Sequence, residues 1–139
     1  MAEMIFVQML KAQGLEHEFM VASRATSDEE IIRGVGNPLY PPARAELARR
    51  GIPILPHRAK QLVRADYDAY DWIIGMDRSN MQAMHRLFGS DPDQKLFKLL
   101  SFAGREGDVA DPWYSGRFDI AYDDISAGCA GLLAYLGER

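Results

Sequence analysis

Asp71-Trp72-Ile73-Ile74-Gly75-Met76, followed directly by Asp77-Arg78-Ser79-Asn80, is the stretch that decides the fold. Its middle is a compact apolar run, the pattern of a strand buried on both faces. Asp77 or Ser79 then caps a helix reaching Phe88, with Met81, Met84 and Leu87 or Phe88 turned inward. Downstream, Lys95 to Phe102 (KLFKLLSF) reads as a second strand and Phe118 to Leu136 as a long closing helix. Upstream, Pro42 opens a helix through Leu47 to Gly51, since its missing N–H costs nothing there. Arg64 to Tyr70 gives one or two helical turns, Ile52 to Lys60 is irregular, and Arg24 to Pro42 is a Gly- and Pro-rich loop. His17 to Ser23 (HEFMVAS) reads as a short strand. Ala2 to Gln13 carries Met4, Ile5, Phe6, Met9 and Leu10 at helical spacing and stops at Gly14. Strands alternating with helices predict an α/β domain whose parallel sheet is flanked by helices on both faces.

The 139 residues carry no repeat, linker or low-complexity tract, so 1–139 is read as a single domain. Apolar residues make up 47% and charged residues 26%, an ordinary globular balance. With 16 Lys+Arg against 20 Asp+Glu, the net charge of −4 argues against capture by nucleic acid or an anionic membrane. One cysteine excludes an internal disulfide and points to a reducing compartment. The longest uncharged stretch, Ile125 to Gly137, falls short of the roughly 17 residues needed to cross a bilayer. The N-terminus has no basic leader with an apolar core, so the expected location is the cytoplasm.

Asp111-Pro112-Trp113-Tyr114, between the last strand and the last helix, is the strongest chemical signal. Proline biases Asp111 toward an extended backbone and so aims its carboxyl. Two rings beside it suit gripping a flat group while a proton is delivered to it; a turn with both rings packed into the core fits the same residues. Asp77 stands where a strand ends and a helix begins, the place where open α/β sheets bind ligands, and equally a plain N-cap position. Glu29 and Glu30 are a site rim or solvated charge. His17, His57 and His85 lack metal-ligand spacing, so neither metal nor cofactor is expected. His57 follows Pro56 in a loop able to reach a strand end, but reads first as a structural, hydrogen-bonding histidine. Cys129 lies in a helical stretch, and six residues on stands Tyr135, not the arginine an anion-activated thiolate needs. Arg44, Arg49, Arg50, Arg58, Lys60 and Arg64 cluster in sequence but alternate with apolar positions, as on solvated faces.

Together these segments resemble the low-molecular-weight protein tyrosine phosphatase family. The resemblance runs from Met1-Ala2-Glu3 through Ser23-Arg24-Ala25-Thr26-Ser27, Gly36-Asn37-Pro38, Gly51-Ile52 and His57-Arg58-Ala59-Lys60-Gln61-Leu62. It continues through Met76-Asp77-Arg78-Ser79-Asn80 to Asp111-Pro112-Trp113-Tyr114, Phe118 and Tyr122-Asp123-Asp124-Ile125. The resemblance implies phosphotyrosine monoester hydrolysis on a phosphoprotein or aryl phosphate. It implies that Asp111 is the general acid and that Trp113 and Tyr114 are the wall beside the phosphotyrosine ring. Glu29 falls on the variable substrate wall, and Ser23, His57 and Asp77 support or border the phosphate loop.

One departure is large. The family's first strand and its Cys-x5-Arg nucleophile loop precede the segment that matches Met1, and no cysteine here has an arginine six residues on. That loop supplies the thiolate, the main-chain N–H nest and the arginine clamp, so the 139 residues are expected to be inactive on phosphotyrosine. The missing strand is central in the fold. Losing about four buried side chains at ~2 kcal/mol each forfeits on the order of 8 kcal/mol, comparable with a domain's whole stability of about 5–15 kcal/mol. The sheet is therefore expected to rearrange by closing up, to be completed by another chain, or to be filled by a segment upstream of Met1, with self-association through the exposed strand edges expected of the 139 residues. The alternative function is a non-catalytic binding or regulatory module that keeps the aromatic substrate wall. The arsenate reductase of similar fold needs further cysteines for its disulfide relay.

Overall fold

The computed structural model describes residues 1–27, 31–32, 35–36 and 39–138, with the side chains of residues 31, 32, 35, 36 and 114 outside the description. In chain order its elements are helix α1 (Ala2–Ala12), strands β1 (Ile31–Ile32) and β2 (Val35–Gly36), helices α2 (Pro41–Arg49) and α3 (Asp66–Ala69), and strand β3 (Ile73–Gly75). Helix α4 (Arg78–Phe88), strand β4 (Leu96–Lys98), a 3₁₀ helix (Leu99–Ala103), helix α5 (Pro112–Ser115) and helix α6 (Phe118–Gly137) follow. The antiparallel pair β1–β2 lies inside the segment expected to be mostly loop.

The apolar run at 72–76 does become a strand. β3 pairs in parallel with β4, Ile73 opposite Leu96, Ile74 opposite Phe97 and Gly75 opposite Lys98. The pleat sends alternate side chains to two apolar clusters. Ile74 and Met76 pack on the one built from α1, α6 and the 3₁₀ helix, around Ile5, Leu10, Leu99, Leu100 and Cys129. Ile73 joins Leu62, Met84 and Leu96 beneath α4. Helices thus cover both faces of a small parallel sheet, as expected. At Gly75 an added Cβ would lie 2.9 Å from the Met81 sulfur and 3.1 Å from the Asn80 Cβ, so the absent side chain lets α4 lie close on the sheet.

Of two further expected strands, one is absent and one is shorter. His17–Ser23 is not a strand. The segment makes a turn, runs on without regular pairing and reaches one isolated parallel bridge, Ala25 with Gln61. There the Ala25 N–H donates to the Lys60 carbonyl and the Leu62 N–H donates to the Ala25 carbonyl, both at 2.8 Å. The cause is a lack of partners, because β-formers make a strand only where a neighbour completes the ladder. Lys95–Phe102 pairs only over β4 and then tightens into the 3₁₀ helix, burying Leu99 and Leu100 against α6. Among the described residues the 21–27 segment and β3 do not pair with each other. Both line a cavity of about 750 Å³ instead, so the sheet has not closed up.

Candidate active site

The site gathers at the carboxyl end of β3, where an open α/β sheet places its ligands. Asp77 ends the strand with extended backbone (φ −145, ψ 175) and caps α4, its carboxylate accepting the Asn80 N–H at 2.7 Å. Asp77 is therefore an N-cap, and it also lines the cavity. Asn80, quoted in the motif but given no role, is one residue that sequence reasoning missed. Its side-chain oxygen accepts the Met76 N–H at 3.0 Å and its amide nitrogen donates to Thr26 Oγ1 at 3.2 Å. One side chain thus ties the end of β3 to the Ser23–Ser27 segment; the signal was its place three residues after a capping aspartate.

Asp111 lines the same cavity. Its backbone is extended (φ −81, ψ 108), as the following proline dictates, and its carboxylate accepts the Trp113 N–H at 2.9 Å, capping the single turn α5. The loop before it is fastened at three points. The Val109 N–H donates to the Met76 carbonyl at 3.0 Å, fixing the loop to the strand end. Asp108 accepts the Arg78 N–H at 3.2 Å and Lys98 Nζ at 2.8 Å, and the lysine holds its carboxyl below the usual range. Asp124 of α6 accepts the Ala110 N–H at 3.3 Å and pairs with Arg105 at 3.2 Å. A carboxyl group held in place but exposed to solvent is suited to handing a proton to a bound group.

The core-packed reading of the aromatic rings is excluded for Trp113, which is 56% exposed. It rests on Tyr40, 44% exposed, with centroids 4.7 Å apart and planes tilted by 40°. Tyr40 in turn meets Phe118 at 5.9 Å. Tyr40 was not singled out from sequence, since a lone tyrosine before Pro41-Pro42 carries no signal of its partner. The backbone of Tyr114 belongs to α5 but its side chain lies outside the described residues, as does Glu29 entirely.

Ser23 donates from Oγ to Glu3 Oε1 at 2.9 Å and so ties its segment to α1, a structural role beside the cavity. His57 is half-buried, and burial pulls its pKa down against the opposing pull of Glu3. Cys129 sits within α6, 2% exposed, on the wall of the cavity, and burial pushes its thiol up to about 12. Among the described residues no group of three or more His, Cys, Asp or Glu could hold a metal, and no helix is long and apolar enough to cross a membrane.

Comparison with known proteins gives the chain's family. The model of the low molecular weight phosphotyrosine protein phosphatase family matches residues 1–139. The low molecular weight protein-tyrosine-phosphatase YfkJ of Bacillus subtilis is 32% identical over 141 residues, covering 100% of this chain and 88% of its own. PtpA of Staphylococcus aureus (strain Newman), of the same description, is 33% identical over 139 residues, covering 98% and 84%. The crystal structure of YfkJ superposes with a TM-score of 0.91 at 29% identity, over 99% of this chain and 85% of that one. With the family's model matching residues 1–139 and relatives of 32–33% identity aligned over 98–100% of this chain, the chain belongs to the low molecular weight phosphotyrosine protein phosphatases.

Proposed function

We propose that these 139 residues form a phosphatase scaffold that keeps the proton donor and the aromatic wall for an aryl phosphate but holds no attacking group, so that they do not turn over phosphotyrosine. In the reaction the family performs, a phenol departs with a pKa near 10, and a proton delivered from a placed carboxyl speeds that step about 10²–10⁴-fold. Asp111 is the group assigned that proton. Trp113, with Tyr40 behind it, would flank the ring of a phosphotyrosine protein or aryl phosphate.

The observation that carries the reading is Cys129. It is the only cysteine of the chain, it is buried in α6 with its thiol pushed up to about 12, and Tyr135 stands six residues on. A thiol neutral at working pH is a poor nucleophile, and no arginine follows at the spacing that clamps phosphate. In serine proteases, removal of the nucleophile costs about 2 × 10⁶ in kcat, a loss Asp111 cannot make up alone. The test is hydrolysis of an aryl phosphate by the 139-residue chain, alone and with Asp111→Asn. The expected rate equals that of buffer in both; turnover that Asp111→Asn abolishes would refute the reading.

The exposed Tyr40–Trp113 pair favours a second reading, a binding or regulatory module that grips an aromatic phosphate without cleaving it. Saturable change in tryptophan emission on adding phosphotyrosine, lost in Trp113→Ala, would support it; no change would remove it. Association with another polypeptide through the strand edges beside the cavity belongs to the same proposal.

A further inference from the structure

We infer that Tyr40 and Arg44, at the start of α2, form a shelf for the residues that flank the phosphotyrosine of a bound phosphoprotein, with an apolar side chain on the Tyr40 ring and an acidic one at Arg44. The inference rests on the binding reading just given, in which Trp113 flanks the phosphotyrosine ring, and it names the substrate class of that same site.

The first support is a pair of exposed rings on rigid mounts. Tyr40 and Trp113 are both exposed and lie 4.7 Å apart. Each neighbours a proline: Pro41 follows Tyr40 and keeps its backbone extended (φ −58, ψ 131), and Pro112 precedes Trp113 at the start of α5. Helix α2 is itself fastened to α6. Arg50 pairs with the buried Glu46 at 2.9 Å and with Asp123 at 3.1 Å, and its guanidinium lies 4.4 Å from the centre of the Tyr122 ring. On its inner face α2 sends the fully buried Leu47 into the core. Rings that are exposed yet held still give a ligand contact area at little cost in ordering.

Charge sets what lies beyond the rings. Arg49 and Arg50 both bind the Glu46 carboxylate, and Arg50 also takes Asp123. Arg44 is exposed and has no acidic partner among the described residues, so it is the surplus cation of α2. Its N–H donates to the Tyr40 carbonyl at 3.0 Å, which sets the two residues one helical turn apart. At the other end of the shelf Asp111 stands two residues before Trp113. An acidic group on the ligand is therefore repelled beside Asp111 and drawn to Arg44, with apolar surface between.

Distance sets the register. The Trp113 and Tyr40 rings are 4.7 Å apart, and one helical turn adds about 5.4 Å to Arg44. On one side of an extended peptide, side chains recur about every 6.6 Å. A phosphotyrosine on Trp113 then puts the side chain two residues away on Tyr40. It puts the side chain four residues away beside Arg44, whose length takes up the difference. The residues between point off the shelf and are unrestricted.

The experiment measures binding of dye-labelled peptides to the 139-residue chain by fluorescence anisotropy. The palindrome Glu-Ala-Leu-Ala-pTyr-Ala-Leu-Ala-Glu presents the same pattern in either chain direction. It is expected to bind at least about tenfold more tightly than a peptide with alanine at every flanking position. Tyr40→Ala is expected to abolish the gain from leucine and Tyr40→Phe to keep it. Arg44→Glu is expected to abolish the gain from glutamate and to pass it to a peptide with lysine ends. Thermal melts check that the variants fold, and the glutamate-ended and lysine-ended peptides compared on the parent chain ask the charge question without any variant. Equal affinity for the leucine–glutamate and alanine peptides would overturn the inference and leave the phosphotyrosine reading standing. If the unphosphorylated peptides bind as well as the phosphorylated ones and keep the leucine and glutamate gains, the shelf stands and that reading falls. Gains that survive Tyr40→Ala and Arg44→Glu, or no binding of any peptide at millimolar concentration, would overturn the inference.

Discussion

Helix α6 comes so close to the 3₁₀ helix at Gly131 that a methyl group there has nowhere to go. A Cβ built on Gly131 would stand 2.1 Å from the Phe102 carbonyl oxygen and 2.5 Å from its carbon. An ordinary C···O approach is about 3.3 Å, so Gly131→Ala requires α6 and the 3₁₀ helix to part by about 1 Å. A gap of that size forfeits a quarter to a half of each dispersion contact it opens, and the contacts concerned include fully buried Leu99 and Leu100. Overpacking of this kind costs up to about 3 kcal/mol, against which alanine's helix propensity returns about 1 kcal/mol. The net loss is about 2 kcal/mol. At about 2.1 cal/mol/K per residue the chain's unfolding entropy is about 0.29 kcal/mol/K, so Tm should fall by about 7 °C. Thermal melts by circular dichroism measure it, with Gly137→Ala as control, because nothing lies within 4 Å of a Cβ there. A Gly131→Ala melt at or above that of the parent, with Gly137→Ala unchanged, would refute the close approach of α6 to the 3₁₀ helix.

Removing the Asp77 cap with Asp77→Ala should cost about 1 kcal/mol, whereas Asn80→Ala leaves the Met76 N–H without its acceptor and should cost about 1–3 kcal/mol. Denaturant titration separates them, and equal losses would deny Asn80 its tie to the strand end. Asp119, held at about 2 by Arg117 against an ordinary 3.8, has a depressed folded pKa. What this pair adds to α6 is therefore complete above pH 4 and disappears as pH falls through about 2. An NMR titration placing that carboxyl near 3.8 would contradict it. Burial raises the Cys129 thiol from 9.0 to about 12, so its stabilising contribution is whole below pH 9 and is lost as pH climbs toward 12. A disulfide reagent should leave the native thiol untouched at neutral pH and titrate it on unfolding; rapid reaction of the folded chain would reverse that assignment.

Where the sequence carried a local cause, the structure follows it. The apolar run at 72–76 is a strand because it is buried between two helical layers, Asp77 caps because a helix start leaves N–H groups open, and Pro112 extends Asp111. Misreadings came where the cause lies elsewhere in the chain. His17–Ser23 has β-forming composition, but a strand needs a neighbour, and one side of this segment faces a cavity. Lys95–Phe102 bends away after Lys98 because α6 offers a glycine-lined surface some thirty residues further on. Asp111 and Trp113 were legible from a contiguous tetrapeptide. Tyr40 and Asp124 make their contacts across the fold, which no spacing along the chain announces, and Asn80 was announced only by its place three residues after the capping Asp77.

The claim at the centre is that a placed acid and an aromatic wall stand here without an attacking sulfur. Intact mass spectrometry of the 139-residue chain, quenched in acid within seconds of mixing with an aryl phosphate, tests it directly. The account predicts only the unmodified mass at every time point. A phosphoryl-bearing species that forms and decays, and that vanishes in Cys129→Ser, would contradict it.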